Sequence, residues 1–255
     1  MKLRVLGCHG GETPQHRTSS FLFDGHLAVD AGAVTSMLTL EEQSAISSVL
    51  VSHPHLDHVR DLATLVDNRC QQNGKAVTVA GTQATIDVLQ RHFFNDQLWP
   101  DFSKISTPYG PIVRFQALDV ETPTQIDGFE VTPVLVNHSV ETAAFILRKE
   151  GCSVAYSGDT GPTERLWEVL ERCDDLKALL LEVSFPNEQQ RLADLSLHHT
   201  PATLRQELEK IRHDASLPVL LYHIKPVFEA RVERELAPIR RSALDILRLE
   251  QHFEF

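Results

Sequence analysis

The sequence predicts an α/β protein in which two mixed β-sheets pack face to face with helices on their outer sides. Three observations lead there: the chain opens with hairpin-joined strands, later strands alternate with helices, and several strands are short apolar runs of buried type. Its 255 residues, 42% of them hydrophobic, are enough for one large core, so residues 1–255 are expected to form a single domain.

Lys2 to Leu6 alternates polar and apolar residues as a half-buried strand does, then yields to a loop containing Gly7, Gly10, Gly11 and Pro14. Phe21–Phe23 and His26–Val29 flank Asp24-Gly25, a dipeptide suited to a two-residue hairpin turn, and Asp30-Ala31-Gly32 closes the unit. Ser48–Ser52 reads as a buried strand, Val59–Cys70 as a helix, Lys75–Ala80 as a strand, and Thr82 as the N-cap of a helix reaching Leu89. Residues 93–111, rich in aromatic residues and proline, form an irregular excursion expected near the functional site. Strands resume at Ile112–Phe115 and Phe129–Val136, and Ala143–Arg148 pairs with Ser153–Tyr156 across Glu150-Gly151. Pro162 suits the first turn of a helix to about Arg172, and Leu179–Val183 is a buried strand. Thr200-Pro201 opens a helix to about Arg212, and Leu217–Tyr222 is the last clear strand.

The formal net charge of −11 repels phosphate backbones, which argues against a long nucleic acid as substrate. No apolar run is long enough to span a bilayer and the N-terminus reads as a strand, so no membrane association and a cytoplasmic location are expected. Cys8, Cys70, Cys152 and Cys173 are scattered, without a CxxC pair, and are expected to be buried or idle thiols. A homodimer is left open.

His53-Pro54-His55-Leu56-Asp57-His58 packs three imidazoles and a carboxylate into six residues directly after a strand. Neutral imidazole and carboxylate are ligands for zinc, iron or manganese, and no thiolate is present to suggest a cysteine-rich structural site. His138, Asp159 and His223 also follow strands, which can aim them into one cleft. Gly158 and Gly161 let the chain turn sharply around Asp159. His9, His16, His26, His92, His199, His213 and His252 lack such a context and are read as structural or exposed, His16 with some reserve because it lies near the cleft.

The histidine cluster resembles the signature of the metallo-β-lactamase superfamily, whose αββα sandwich matches the fold class above. The resemblance implies that His53, His55 and His138 hold one divalent metal ion and Asp57, His58 and His223 a second, with Asp159 bridging them. Further strings resemble the class II cyclic nucleotide phosphodiesterases: Phe94-Asn95 with Trp99-Pro100-Asp101-Phe102, Tyr156 to Thr163, Leu181 to Asn187, His198 to Pro201, and His223-Ile224-Lys225-Pro226. Two departures are Asp61, where that family commonly has a small residue such as glycine, and Leu197, where its Gly-His-Leu-Thr-Pro segment begins. The resemblance implies hydrolysis of 3′,5′-cyclic AMP or cyclic GMP to the 5′-monophosphate, with two metal ions activating a bridging hydroxide. Asp57, as a ligand, and His198, which would touch the phosphoryl group or protonate the leaving 3′ oxygen, are the candidate catalytic residues. Phe94, Trp99, Phe102 or Tyr109 could stack on a base. The alternatives are a phosphodiesterase for RNA 3′ ends or another cyclic phosphate, a thioester or lactam hydrolase, and a non-hydrolytic di-iron redox or oxygen-binding protein. Against the RNA reading, the long basic arm usual in tRNA processors of this fold is not evident.

Overall fold

A computed structural model describes residues 1–241 and 243–255. Sixteen strands are described: β1 Lys2–Gly7, β2 Ser20–Phe23, β3 Leu27–Val29, β4 Ser48–Leu50, β5 Val77–Gly81, β6 Ser106–Thr107, β7 Gly110–Pro111, β8 Val113–Ala117, β9 Thr124–Ile126, β10 Phe129–Val136, β11 Thr142–Lys149, β12 Cys152–Tyr156, β13 Leu176–Glu182, β14 Val219–Tyr222, β15 Leu244–Ile246 and β16 His252–Glu254. They build one seven-stranded sheet in the order β16-β1-β2-β3-β4-β5-β8, a second in the order β15-β14-β13-β12-β11-β10-β9, and a small β6-β7 ribbon. Each large sheet has an antiparallel half and a parallel half. Phe21, Phe23, Leu27 and Leu50 from one sheet meet Phe129, Phe145, Leu180 and Tyr222 from the other in a shared inner core. The outer faces are covered by helices, which makes the four layers αββα. Among the described residues, no helix is long and apolar enough to cross a membrane.

The helices are α1 Val34–Met37, α2 Leu40–Ala45, α3 Leu56–Val59, α4 Leu62–Gln71, α5 Gln83–Val88, α6 Arg165–Leu170, α7 Gln190–Ser196, α8 Pro201–Leu208 and α9 Glu229–Leu236. The first hairpin turns through Asp24 and Gly25, at φ 47° and 76°, as its dipeptide requires. Thr82 and Thr200 cap α5 and α8, Pro201 sits in the first turn, and Thr203 completes a capping box, devices worth roughly 1 kcal/mol each.

Several boundaries differ from expectation. The helix read over Val59–Cys70 is two helices, α3 and α4, separated by Arg60-Asp61, and the ligand cluster itself enters α3. Pro162 lies three residues before α6, and α8 ends at Leu208, short of Arg212. The excursion at 93–111 is not near the histidine cluster. It leaves the far end of the helical segment continuing from α5 and feeds the start of β8, which runs parallel to β5 and β4, so it lies at the opposite end of the sheet from His53. Phe94 and Phe102 are buried in the outer core with Trp99 packed against it, while Tyr109 stands beside Lys75 and Arg114 near the start of β5. These four aromatic residues therefore do not line the cleft. All four cysteines are free, three of them buried.

Candidate metal centre

Because β10 and β12 share a direction, as do β12, β13 and β14, His138, Asp159, Glu182 and His223 emerge at one end of the second sheet. The loop after β4 brings His53, His55, Asp57 and His58 to the same place. Ligand atoms of His53, His55 and His138 lie within 4.8 Å of one another, and so do those of Asp57, His58, Asp159 and His223. All seven residues expected from the sequence are thus together.

His53 Nε2 is 3.0 Å and His138 Nε2 3.3 Å from His55 Nδ1. In the neighbouring set, Asp159 Oδ2 lies 3.2 Å from both His58 Nε2 and His223 Nε2, while Asp57 Oδ2 is 3.4 Å from His223 Nε2. Two ligands of a tetrahedral shell with bonds near 2.0 Å sit about 3.3 Å apart. Asp159 Oδ2 also lies 3.8 Å from His53 Nε2, which places its carboxylate between the two sets. His58 Nε2, His223 Nε2 and Asp159 Oδ1 are buried without a hydrogen-bond partner among the described residues. Buried groups left in that condition cost about 1–3 kcal/mol each, and a bound cation would satisfy them. The donor set therefore fits divalent metal ions.

Several of the rings are held from behind. His58 Nδ1 donates to Asp30 Oδ2 at 2.7 Å, His138 Nδ1 donates to the Leu197 carbonyl at 3.1 Å, and Ser52 Oγ lies 3.0 Å from His53 Nδ1. These acceptors keep a proton on Nδ1 of His58 and His138 and leave Nε2 as the nitrogen turned toward the cluster. Asp30 is fully buried and also accepts from Ser52 N, Ser52 Oγ and Tyr156 Oη at 2.6–2.8 Å. Asp30, His223 and Leu197 all take positive φ, at 56°, 71° and 55°, so the backbone is strained at the points that aim the site. Gly158, at φ 62°, reaches a similar conformation without penalty, and a Cβ there would lie 3.1 Å from Ala143 O and Thr142 Cγ2.

Burial pushes His53 well below the usual imidazole range and His138 down to about 4, and it lowers His223 as well. Burial opposes ionisation of Asp57 and Asp159, but the imidazoles around them, His223 and His58, prevail and hold both carboxyls low. These are the protonation states that ligate metals. His58 is the exception: burial disfavours its cation, yet Asp159 and Asp30 hold it well above the usual value, so it would lose a proton on binding.

His198 lies in the loop between α7 and α8, stacked on His223 with ring centroids 5.3 Å apart and edge-on to His138 at 5.0 Å. Its Nδ1 donates to Glu182 Oε1 at 2.8 Å, and Glu182 also accepts from Thr160 N and Ser184 Oγ. Burial lowers the His198 pKa, but the Glu182 carboxylate more than offsets it and the pKa is raised. His198 is also close enough to form a donor set with His138 and Asp159. Sequence reading missed the supporting roles of Asp30, Glu182 and Ser184. The readable signals were a carboxylate ending the apolar run Leu179-Leu180-Leu181, and an aspartate directly after a buried strand.

The departures have local explanations. Asp61 Oδ2 accepts from the backbone N–H groups of Thr35 and Ser36, so it anchors the start of α1. Leu197 keeps the left-handed conformation that glycine adopts readily.

Residues 22–224 match the family described as "Beta-lactamase superfamily domain". A Yersinia pestis protein named "Probable 3',5'-cyclic-nucleotide phosphodiesterase" is 29% identical over 234 residues, covering 80% of this chain and 65% of that protein. The chain thus spans slightly less than two thirds of that relative. A Bacillus licheniformis protein named "Ribonuclease Z" is 24% identical over 264 residues, covering 87% of this chain and 83% of that one. The crystal structure of unliganded yeast PDE1 superposes with a TM-score of 0.81 at 22% identity, covering 98% of both chains. The family match, over most of the chain, and the αββα architecture together establish that this chain belongs to the beta-lactamase superfamily.

Proposed function

We propose that the chain is a metal-dependent phosphodiesterase that hydrolyses 3′,5′-cyclic nucleotides to 5′-monophosphates. The observation that supports this reading most is His198, held by Glu182 at the edge of a partly buried seven-donor array, in a chain similar to a protein with a cyclic-nucleotide phosphodiesterase name. His53, His55 and His138 would hold one divalent ion and Asp57, His58 and His223 a second, with Asp159 shared; zinc, iron and manganese all suit such donors. Bound ions would supply Lewis acidity, neutralising phosphodiester oxygens and lowering the pKa of water.

The chain's own residues do the rest. Asp30, Ser52 and the Leu197 carbonyl fix the imidazoles of His58, His53 and His138. As water adds to phosphorus, releasing one proton to solvent, and the bond from phosphorus to the 3′ oxygen breaks, protonated His198 gives its Nε2 proton to that oxygen and becomes neutral, to be reprotonated from solvent. Glu182 keeps the ring oriented and its proton available near neutral pH.

A second reading, hydrolysis of RNA 3′ ends, is favoured by the similarity to the Bacillus protein and opposed by the net charge of −11. The test is turnover of cyclic AMP, cyclic GMP, bis(p-nitrophenyl) phosphate, a 3′-extended tRNA precursor and a lactam by protein loaded in turn with zinc, manganese or iron. Turnover of a cyclic nucleotide is expected. Cleavage of the tRNA precursor with no cyclic nucleotide turnover would overturn the proposal in favour of the second reading. Loss of all hydrolysis, together with a charge-transfer spectrum in the iron form, would favour a redox protein.

A further inference from the structure

His9, His16 and Glu229 are absent from the seven-donor array, yet they converge where the loop after β1 meets the start of α9. His16 Nε2 lies 3.1 Å from Glu229 Oε2, and His9 Nε2 lies 3.8 Å from Glu229 Oε1. The two rings meet edge to face at 4.6 Å, and ligand atoms of the three residues all fall within 4.8 Å of one another. His9 is 5% exposed, and no hydrogen bond reaches its Nε2 among the described residues. Its other nitrogen is engaged by the backbone of Arg17, and His16 Nδ1 by Thr13 Oγ1 at 2.5 Å. A plain His16–Glu229 hydrogen bond accounts for one imidazole and leaves His9 Nε2 facing the same carboxylate at 3.8 Å, beyond hydrogen-bond distance.

We infer that His9, His16 and Glu229 form a separate site for a borderline divalent cation such as zinc. Two imidazoles and one carboxylate on one side of an ion, with the remaining positions open, are an established N/O ligand set. Burial lowers the His9 pKa to about 4, so its ring is neutral as ligation requires. Arg248 donates to Glu229 Oε1 at 3.0 Å, which leaves Oε2 as the ligand atom and makes this site weaker than the main array. An ion here would tie the loop of residues 8–17 to α9. That loop supports the main site directly, since Cys8 O accepts from His223 N at 2.7 Å and Gly10 N donates to Ile224 O at 3.1 Å.

The test compares zinc content in wild type, His16→Ala and Glu229→Gln, each stripped by chelator and dialysed against saturating buffered free zinc. The difference between chains is what counts, so the result does not depend on how many ions the main array holds or on which substrate it cleaves. Each variant should hold one equivalent less than wild type, and its unfolding temperature should gain less from added zinc. The same His16-dependent equivalent should persist when Asp57→Ala weakens the main array. Equal zinc content in all three chains would overturn the inference, as would a loss in His16→Ala without one in Glu229→Gln, because the carboxylate would then not be a ligand.

Discussion

Replacing Glu182 with glutamine removes one charge from the pair that holds His198 while preserving its shape. Glu182 is fully buried, and its Oε1 lies 2.8 Å from His198 Nδ1. An amide oxygen in that position would still accept from His198 and Thr160, and Ser184 Oγ can rotate to accept from the new amine. The electrostatics change. Burial and Lys225 both lower the His198 pKa, and with the Glu182 charge gone Asp159, whose ligand atom lies within 4.8 Å of that of His198, is left to oppose them. A general acid must be protonated to act, so the alkaline limb of the kcat profile should move to lower pH, each unit of movement being about 1.4 kcal/mol. Were the pKa to fall below the unperturbed value near 6.5, fewer than about one molecule in ten would hold the proton at pH about 7.5. His198→Ala removes the acid altogether and should cost roughly 10²- to 10⁴-fold in kcat on cyclic AMP, or about 2.7–5.5 kcal/mol, with metal content unchanged. The loss should shrink on bis(p-nitrophenyl) phosphate, whose leaving group needs no proton. The assay is a pH–rate profile for each chain and each substrate. An alkaline limb unmoved by Glu182→Gln, or equal losses on both substrates in His198→Ala, would refute acid catalysis by this pair; a fall in metal content in His198→Ala would make it a ligand.

Asp30→Asn should weaken metal binding about 10- to 100-fold, because the amide cannot accept from His58 Nδ1, Ser52 and Tyr156 together, and a zinc competition titration checks this. Unchanged affinity would mean that His58 is oriented without Asp30. Gly158→Ala should cost about 1–2 kcal/mol in thermal unfolding from its left-handed backbone alone, and more from contact with Ala143 O, while displacing Asp159 enough to lower metal content. Wild-type stability and metal content in that variant would show that the loop relaxes freely.

Much of this site was legible in the sequence because a metal array is local chemistry placed at strand ends. The His53–His58 cluster and its neighbours come directly after buried apolar strands, and a strand that must stay in register delivers the residues at its end to a fixed place. Support from a distance escaped. Asp30 looked like a turn residue because nothing in the order of residues shows that His58 will stand 2.7 Å from it. Helices α2 and α9 went unread, although Thr39 and Glu42 form a capping box that could have signalled the first. The aromatic excursion was misplaced for a topological reason: composition suggested a binding loop, but the parallel pairing of β5 with β8 sends it to the far end of the sheet. The meeting of His9 with His16 is not readable in the sequence, because their third partner, Glu229, lies more than two hundred residues away.

The most direct test of the proposed chemistry is hydrolysis of cyclic AMP by metal-loaded protein in ¹⁸O-labelled water, with the products separated and weighed by mass spectrometry. Attack at phosphorus with departure of the 3′ oxygen should give 5′-AMP as the nucleotide product, with one labelled oxygen in its phosphate, and Asp159→Ala should abolish its formation. Release of 3′-AMP, or an absence of cyclic nucleotide turnover while the tRNA precursor is cleaved, would contradict the proposal.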